Sequence, residues 1–265
     1  MNDTNQNQPP VPPQIPPAAY TSRPAQLSPG DDPSDRLPIP GVAGAIESIL
    51  RQPRRVMYAL GQPGGAKVVV VMLLLAVFFA LIYGAVIGTY SRGDQLWIAP
   101  LKVAGGLLVS ALICLPSLYI FACLSGSRAR LGEMAGLVAG LLLLMTLLLI
   151  GFAPVAWLFS ESTNSIIWMG ALHLIFWGIA TAFGLRFLST GFAATQARSR
   201  GGLYVWSIIF VMVALQMTTA LRPILGTSDA FLPAEKKFFV KHRADSLKEN
   251  VPLESAPRVR ESYQD

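Results

Sequence analysis

The sequence predicts an all-α integral membrane bundle of five transmembrane helices, with an interfacial amphipathic helix before the first span. Three observations carry that expectation. Of 265 residues, 52% are apolar and 14% charged, against about 25% charged in ordinary soluble domains. The charges avoid one long stretch: residues 68–225 hold only eight Lys or Arg and three Asp or Glu. Within it lie five apolar runs, 68–90, 101–124, 134–159, 166–188 and 203–225. Each is about 34–39 Å long as a helix, enough for a hydrocarbon core of about 30 Å. This distribution excludes a soluble enzyme of this length. It also argues against nucleic acid as a partner despite the net charge of +6, because such binding needs clustered Lys and Arg on a water-facing surface.

Residues 1–40 contain 11 prolines. Proline lacks an amide donor and fixes φ, so the segment is expected to be a disordered, proline-rich cytoplasmic tail with polyproline-II character. Pro10-Val11-Pro12-Pro13 and Pro13-Gln14-Ile15-Pro16 fit the loose PxxP pattern that aromatic grooves recognise. The same composition also describes a plain solvated tail. The segment has neither the basic nor the apolar region of a cleavable signal, so the first span is expected to drive insertion. Asn2 in place of glycine, and no terminal prenylation box, argue against a lipid anchor.

Residues 41–67 read as an amphipathic helix and a linker. Ala45, Ile46, Ile49 and Leu50 form an i, i+3, i+4 stripe, which Val56, Met57 and Leu60 continue after Pro53. Arg51, Arg54 and Arg55 sit opposite. The pattern fits a helix in the headgroup plane and equally one packed on the mouth of the bundle. Gln62-Pro63-Gly64-Gly65 then breaks the chain.

Across 68–225 the runs must be helices, because lipid offers the backbone no partners and the runs lack the alternation of barrel strands. Pro116 and Pro154 fall inside the second and third and are expected to kink them. The connections 91–100, 125–133, 160–165 and 189–202 are too short for a catalytic domain.

Five spans place the termini on opposite sides. On the amino-terminal side lie Arg51, Arg54, Arg55, Lys67, Arg128, Arg130, Arg186, Arg198 and Arg200; on the other, Arg92, Lys102 and Arg222. Lys and Arg are retained in the cytoplasm, so the amino terminus is expected there, in a bacterial inner (plasma) membrane. Arg51, Arg54, Arg55, Arg128, Arg130, Arg198 and Arg200 form the expected basic membrane surface. Tyr90, Trp97, Trp157 and Trp168 fall near the opposite face as an aromatic belt. Residues 226–265 read as an amphipathic, then disordered tail. Lys236, Lys237, Lys241, Arg243 and Lys248 interleave there with Phe231, Leu232, Phe238, Phe239 and Val240. Counted strictly, those cations favour four or six spans with a cytoplasmic tail; they lie more than ten residues beyond the last span.

Chemistry-bearing residues are few. Cys114 and Cys123 are nine apart and point to opposite sides of one helix, and His173 and His242 are remote, so no metal-ligand spacing appears. No Walker loop, zinc-protease helix or nucleophile elbow is present. No acidic residue lies at mid-membrane depth between Leu101 and Leu225. Catalytic, cofactor-binding and metal residues are therefore expected to be absent. A polar intramembrane cluster of His173, Gln216, Thr219 and Arg222 is expected, with a His173–Gln216 hydrogen bond and a Glu161–Arg222 ion pair joining the fourth and fifth spans. It reads either as packing or as a site for a ligand or lipid headgroup. The spacings of Gly84 with Gly88, Gly136 with Gly140, Gly178 with Ala182 and Ala180 with Gly184 allow close helix approach, within the bundle or between copies.

The run Ile46-Glu47-Ser48-Ile49-Leu50-Arg51-Gln52-Pro53-Arg54-Arg55-Val56-Met57, behind a proline-rich terminus and ahead of five closely spaced spans, resembles the Yip (Rab/Ypt-interacting) multi-pass membrane family, particularly its bacterial branch. The resemblance covers about residues 46–225. Eukaryotic members of that family act in vesicle trafficking and contact small GTPases from the cytoplasmic side; the residues those contacts use are not recognisable here, and none is carried over. For bacterial members the resemblance implies a membrane protein without an assigned reaction. The expected function is a non-enzymatic scaffold, or an assembly or trafficking factor, that recruits a partner at the bilayer. The alternative is a small transporter or channel subunit working as a homo-oligomer.

Overall fold

The computed structural model describes residues 29–91, 95–162 and 166–220. Every element among these residues is helical. A 3-10 turn, Pro33–Arg36, precedes α1 (Gly41–Arg51), α2 (Pro53–Leu60), α3 (Gly65–Ser91), α4 (Gln95–Leu124), α5 (Leu131–Ser162), α6 (Ile166–Ala194) and α7 (Gly201–Ala220). Four of them, α3 to α6, are long and apolar enough to cross a membrane, and they contain the first four predicted runs. In α7 the apolar helix Gly201–Met217 is shorter, and description stops at Ala220. The expected tail at 226–265 and residues 1–28 lie outside the described residues.

Local chemistry sets the elbow between α1 and α2. The residue before a proline is pushed out of the helical region, and Gln52 takes φ −133° and ψ 59°. Its amide still closes the last turn of α1 onto Ser48 O at 2.9 Å. Pro53 then opens α2, where its missing amide costs nothing.

The spans are neighbours in the order α6, α5, α3, α4, α7. In α5, 67% of the membrane-length window is buried inside the protein, against 28–33% in the other three. A helix that is apolar on all sides suits that central place. Its one polar residue in the Leu-rich stretch, Thr146, turns its hydroxyl back to the carbonyls of Leu142 and Leu143, at 3.0 and 3.1 Å. Pro116 and Pro154 lie inside α4 and α5, as predicted; Pro100, assigned to a connection, also lies inside α4.

α7 packs along α4. Trp206 donates its indole N–H to Cys114 O at 2.8 Å and stacks on Phe210, with centroids 5.2 Å apart. The expectation that the fourth and fifth spans pair therefore needs correction. α6 and α7 follow one another in sequence but barely touch, because α6 takes the flank of α5 and α7 that of α4.

The small residues do three different things. Gly84 is a true helix contact: a Cβ there would collide with the backbone of Pro100 in α4. Gly184 faces Met145 and Leu141 of α5, whereas a Cβ at Gly178 would meet nothing within 4 Å among the described residues. Gly136 and Gly140 are notches. Gly136 receives the Leu60 side chain, and Gly140 receives Phe187 and Ile49. Of the two readings of residues 41–60, the structure shows the packed one: Ala45, Ile49, Val56 and Leu60 are buried against the bundle. Leu50, assigned to the same stripe, is half exposed.

Candidate functional site

The end of the bundle bearing α1 and α2, here the near face, holds a dense polar construction. Residues 29–40, predicted as part of the tail, fold back onto α2. Gly30 takes φ +94° beneath the Tyr58 ring, where a Cβ would clash. Its amide donates to the buried Asp35 carboxylate at 3.1 Å, and its carbonyl accepts from Arg36 Nε at 2.8 Å. Arg54 pairs with the same Asp35 at 3.7 Å. Arg55 donates from Nε to Leu37 O at 3.0 Å, from Nη2 to Pro38 O, and from Nη1 to Gln52 Oε1 at 3.1 Å. Asp32 caps the 3-10 turn, accepting from Ser34 N at 2.8 Å. That backbone bond holds the exposed Asp32 carboxyl below its ordinary range.

Of the seven arginines assigned to the membrane surface, Arg54 and Arg55 are thus turned onto the protein's own chain. Arg51 is exposed and pairs with Glu47 at 3.9 Å. The other predicted basic residues surround the connections of the same face. Arg128 and Arg130 are exposed in the link before α5, where Arg130 N donates to Glu133 Oε2 at 3.4 Å. Arg198 N donates to Ser125 O at 2.9 Å, tying the α6–α7 connection to the end of α4, and its side chain passes Gly126. Arg200 is exposed just before α7. A cleft of about 380 Å³ opens here, walled by Pro29, Tyr58, Arg128, Glu133, Thr195 and Gln196 among others. Gln196 has φ 61°, a left-handed turn that ends α6 on the cleft wall.

The interior polar cluster differs from expectation. His173 is bonded through Nδ1 to the Tyr83 hydroxyl of α3, at 2.8 Å, with the rings edge to face at 5.7 Å. It is not bonded to Gln216, because Gln216 sits on α7 beyond α4. The Thr219 side chain and Arg222 lie outside the described residues, so the Glu161–Arg222 pair does too. Sequence reasoning passed over Tyr83, although it is the only hydroxyl-bearing side chain in the first run before Thr89. Lys102, counted as a charge of the far surface, is 1% exposed, six residues inside the span Leu96–Leu124. Counting charge near a span end does not show that the stem of this lysine turns into the bundle.

Among the described residues no group of three or more His, Cys, Asp or Glu is placed to hold a metal ion. Comparison of the chain with family models, curated proteins and solved structures finds no match.

Proposed function

We propose that this chain is a non-enzymatic, five-span membrane protein that recruits a partner at its near face, as a scaffold or an assembly or trafficking factor. The observation that carries this reading is the Arg54 and Arg55 clasp. It fixes residues 29–40 to α2, so the proline-rich stretch before Pro29 is rooted on a rigid surface beside an open cleft. A recruiting segment gains from such a root, because the root holds bound partners at a set distance from the bilayer.

On this reading α7 is the fifth span: its 20 residues already measure about 30 Å. α1 and α2 lie at the interface, with Val42 and Leu50 turned outward beside Arg51. Lys and Arg crowd the near face, which favours a cytoplasmic amino terminus in a bacterial inner membrane. Trp97, Trp157 and Trp168 project outward at the other end, as an aromatic belt does. The resemblance to the Yip family agrees with an assembly or trafficking role. The second reading, a transporter or channel subunit, draws on the buried Lys102 and His173, since ionisable groups inside a membrane mark pathways.

Affinity purification in mild detergent, comparing the full chain with one lacking residues 1–28, tests the first reading. Stoichiometric partners lost on truncation, with the bundle intact, are the expected result. A partnerless oligomer that conducts ions in bilayers would overturn it.

A further inference from the structure

The cleft on the near face brings a cation and an anion to one wall without joining them. Arg128 and Glu133 both line it. Among the described residues neither forms an ion pair, with the other or with a third side chain. Arg128 is exposed. Glu133 Oε2 accepts from Arg130 N at 3.4 Å, and Oε1 has no partner among the described residues. The backbone that carries the two charges is fixed. Ser127 Oγ donates to Thr195 O at 3.3 Å and accepts from Ala129 N at 3.2 Å, so the link on either side of Arg128 is tied to the end of α6. Glu133 stands in the first turn of α5, beside the buried Met134. Opposite charges held apart on a fixed backbone are already arranged for a ligand that carries the complementary pair, so little ordering is needed when it binds. The cleft, at about 380 Å³, has the size of a small-molecule pocket, about 300–1,000 Å³.

Depth says where such a ligand comes from. α5 has 32 residues and α6 has 29, about 48 and 43 Å, against a hydrocarbon core of about 30 Å. Centred helices leave about six residues of α5 and about five of α6 outside the hydrocarbon at this end. The deepest lining residues on the two helices, Leu137 and Gly191, therefore both fall at the hydrocarbon boundary. Glu133, one turn before Leu137, stands about 6 Å above it, inside a headgroup layer about 5–7 Å thick. Leu124 and Leu131 bracket the link that carries Arg128 and are 77% and 51% exposed. They turn apolar surface outward on this rim, which suits a rim set against lipid.

We propose that the cleft seats the headgroup of a phosphatidylethanolamine from the near leaflet. Its phosphate accepts from the Arg128 guanidinium, whose planar fork matches phosphate oxygens, and its ammonium donates to Glu133 Oε1. The apolar lining at Met57, Leu60 and Leu137 suits the glycerol and upper acyl carbons. Phosphatidylcholine carries the same charges, but its ammonium has no N–H to give Glu133. Phosphatidylglycerol has the phosphate and no cation. The seat is independent of the recruiting role proposed for the near face, and its test reads bound lipid rather than partners.

In the test, the full chain in mild detergent is titrated with phosphatidylethanolamine, phosphatidylcholine and phosphatidylglycerol of matched acyl chains, and the first bound lipid is read by native mass spectrometry. Phosphatidylethanolamine is expected to bind about fivefold tighter than either of the others. Arg128→Gln should weaken phosphatidylethanolamine and phosphatidylglycerol alike. Glu133→Gln, whose amide oxygen can still accept from Arg130 N, should bring phosphatidylethanolamine down to the level of phosphatidylglycerol and leave the latter unchanged. Equal binding of the three lipids by the native chain, or an ethanolamine preference that survives both substitutions, overturns the proposal. Soluble glycerophosphoethanolamine is added as a competitor. It is expected to displace the lipid only in large excess; displacement at equal concentration would make a soluble zwitterion the ligand and overturn the bilayer source. Neither side chain is buried, and size exclusion checks both variants for an intact bundle. Should either fail to fold, the three lipids and the soluble competitor on the native chain still decide.

Discussion

At the near face the chain is held by guanidinium groups gripping a carboxylate and backbone carbonyls. Toward the opposite end α3 and α4 are held by the backbone of Pro100 lying on Gly84, and α3 and α6 by one Tyr–His bond. Water decides the difference. Near the surface each charged contact competes with solvent and contributes about 0–1 kcal/mol, so several are used together. Inside the bilayer no solvent competes, but apolar burial no longer drives helices together, and close fit carries the association. The near face should therefore yield gradually to substitution and the interior abruptly.

The largest effect is expected at Gly84. In Gly84→Leu the new side chain meets backbone, which cannot rotate away, so a loss of about 3 kcal/mol, the upper part of the overpacking range, is expected. A denaturant or thermal unfolding series on the full chain measures it, and wild-type stability would show that the close α3–α4 approach does not carry the association. Gly136→Leu should cost less, about 1–2 kcal/mol, because the displaced group is the flexible end of Leu60. Its main consequence is release of α1 and α2, read as severalfold faster tryptic cleavage at Arg51, Arg54 and Arg55; an unchanged rate would show that the notch does not hold them.

Arg55→Ala should cost about 1 kcal/mol, lost locally. Hydrogen exchange is expected to speed up across residues 29–40 while the spans keep their protection, and faster exchange in α3 would contradict the separation of the two regions. The smallest effect concerns Asp32. Its carboxyl is held below the ordinary value, chiefly by the Ser34 amide. Its contribution is therefore complete above that ordinary value and disappears as pH falls through the lowered one. Exchange at the Ser34 amide should stay slow at mildly acidic pH and rise only in stronger acid; Asp32→Asn should remove that dependence.

Much of the bundle was legible in the sequence, because length and apolarity fix where α3 to α6 run. The order of neighbours was not. A helix such as α5, apolar all round, shows no preferred face, so its pattern cannot say whether α3, α4 or α6 lies against it. Similar depth in two antiparallel spans pointed to a His173–Gln216 bond, but depth does not say which helices lie side by side. The clasp was hidden for another reason. Arg55 grips the carbonyls of Leu37 and Pro38, which every residue possesses, so the partner leaves no trace in composition. Asp35, the carboxylate for Arg54, lay in a stretch whose prolines masked it as tail. His173 was visible as a polar group in the membrane, but its partner Tyr83 passed as one more aromatic in an apolar run.

The notches at Gly136 and Gly140 also impose an order of events. Leu60 and Ile49 leave the ribosome long before the helix that seats them. At about 5–20 residues per second, the 80 residues from Leu60 to Gly140 take about 4–16 s to translate. During that interval α1 and α2 have no seat on α5, and their apolar stripe must be sheltered by the bilayer surface or by the insertion machinery. The segment made before the spans is thus locked only after three of them, and its docking marks the moment when the third span is in place.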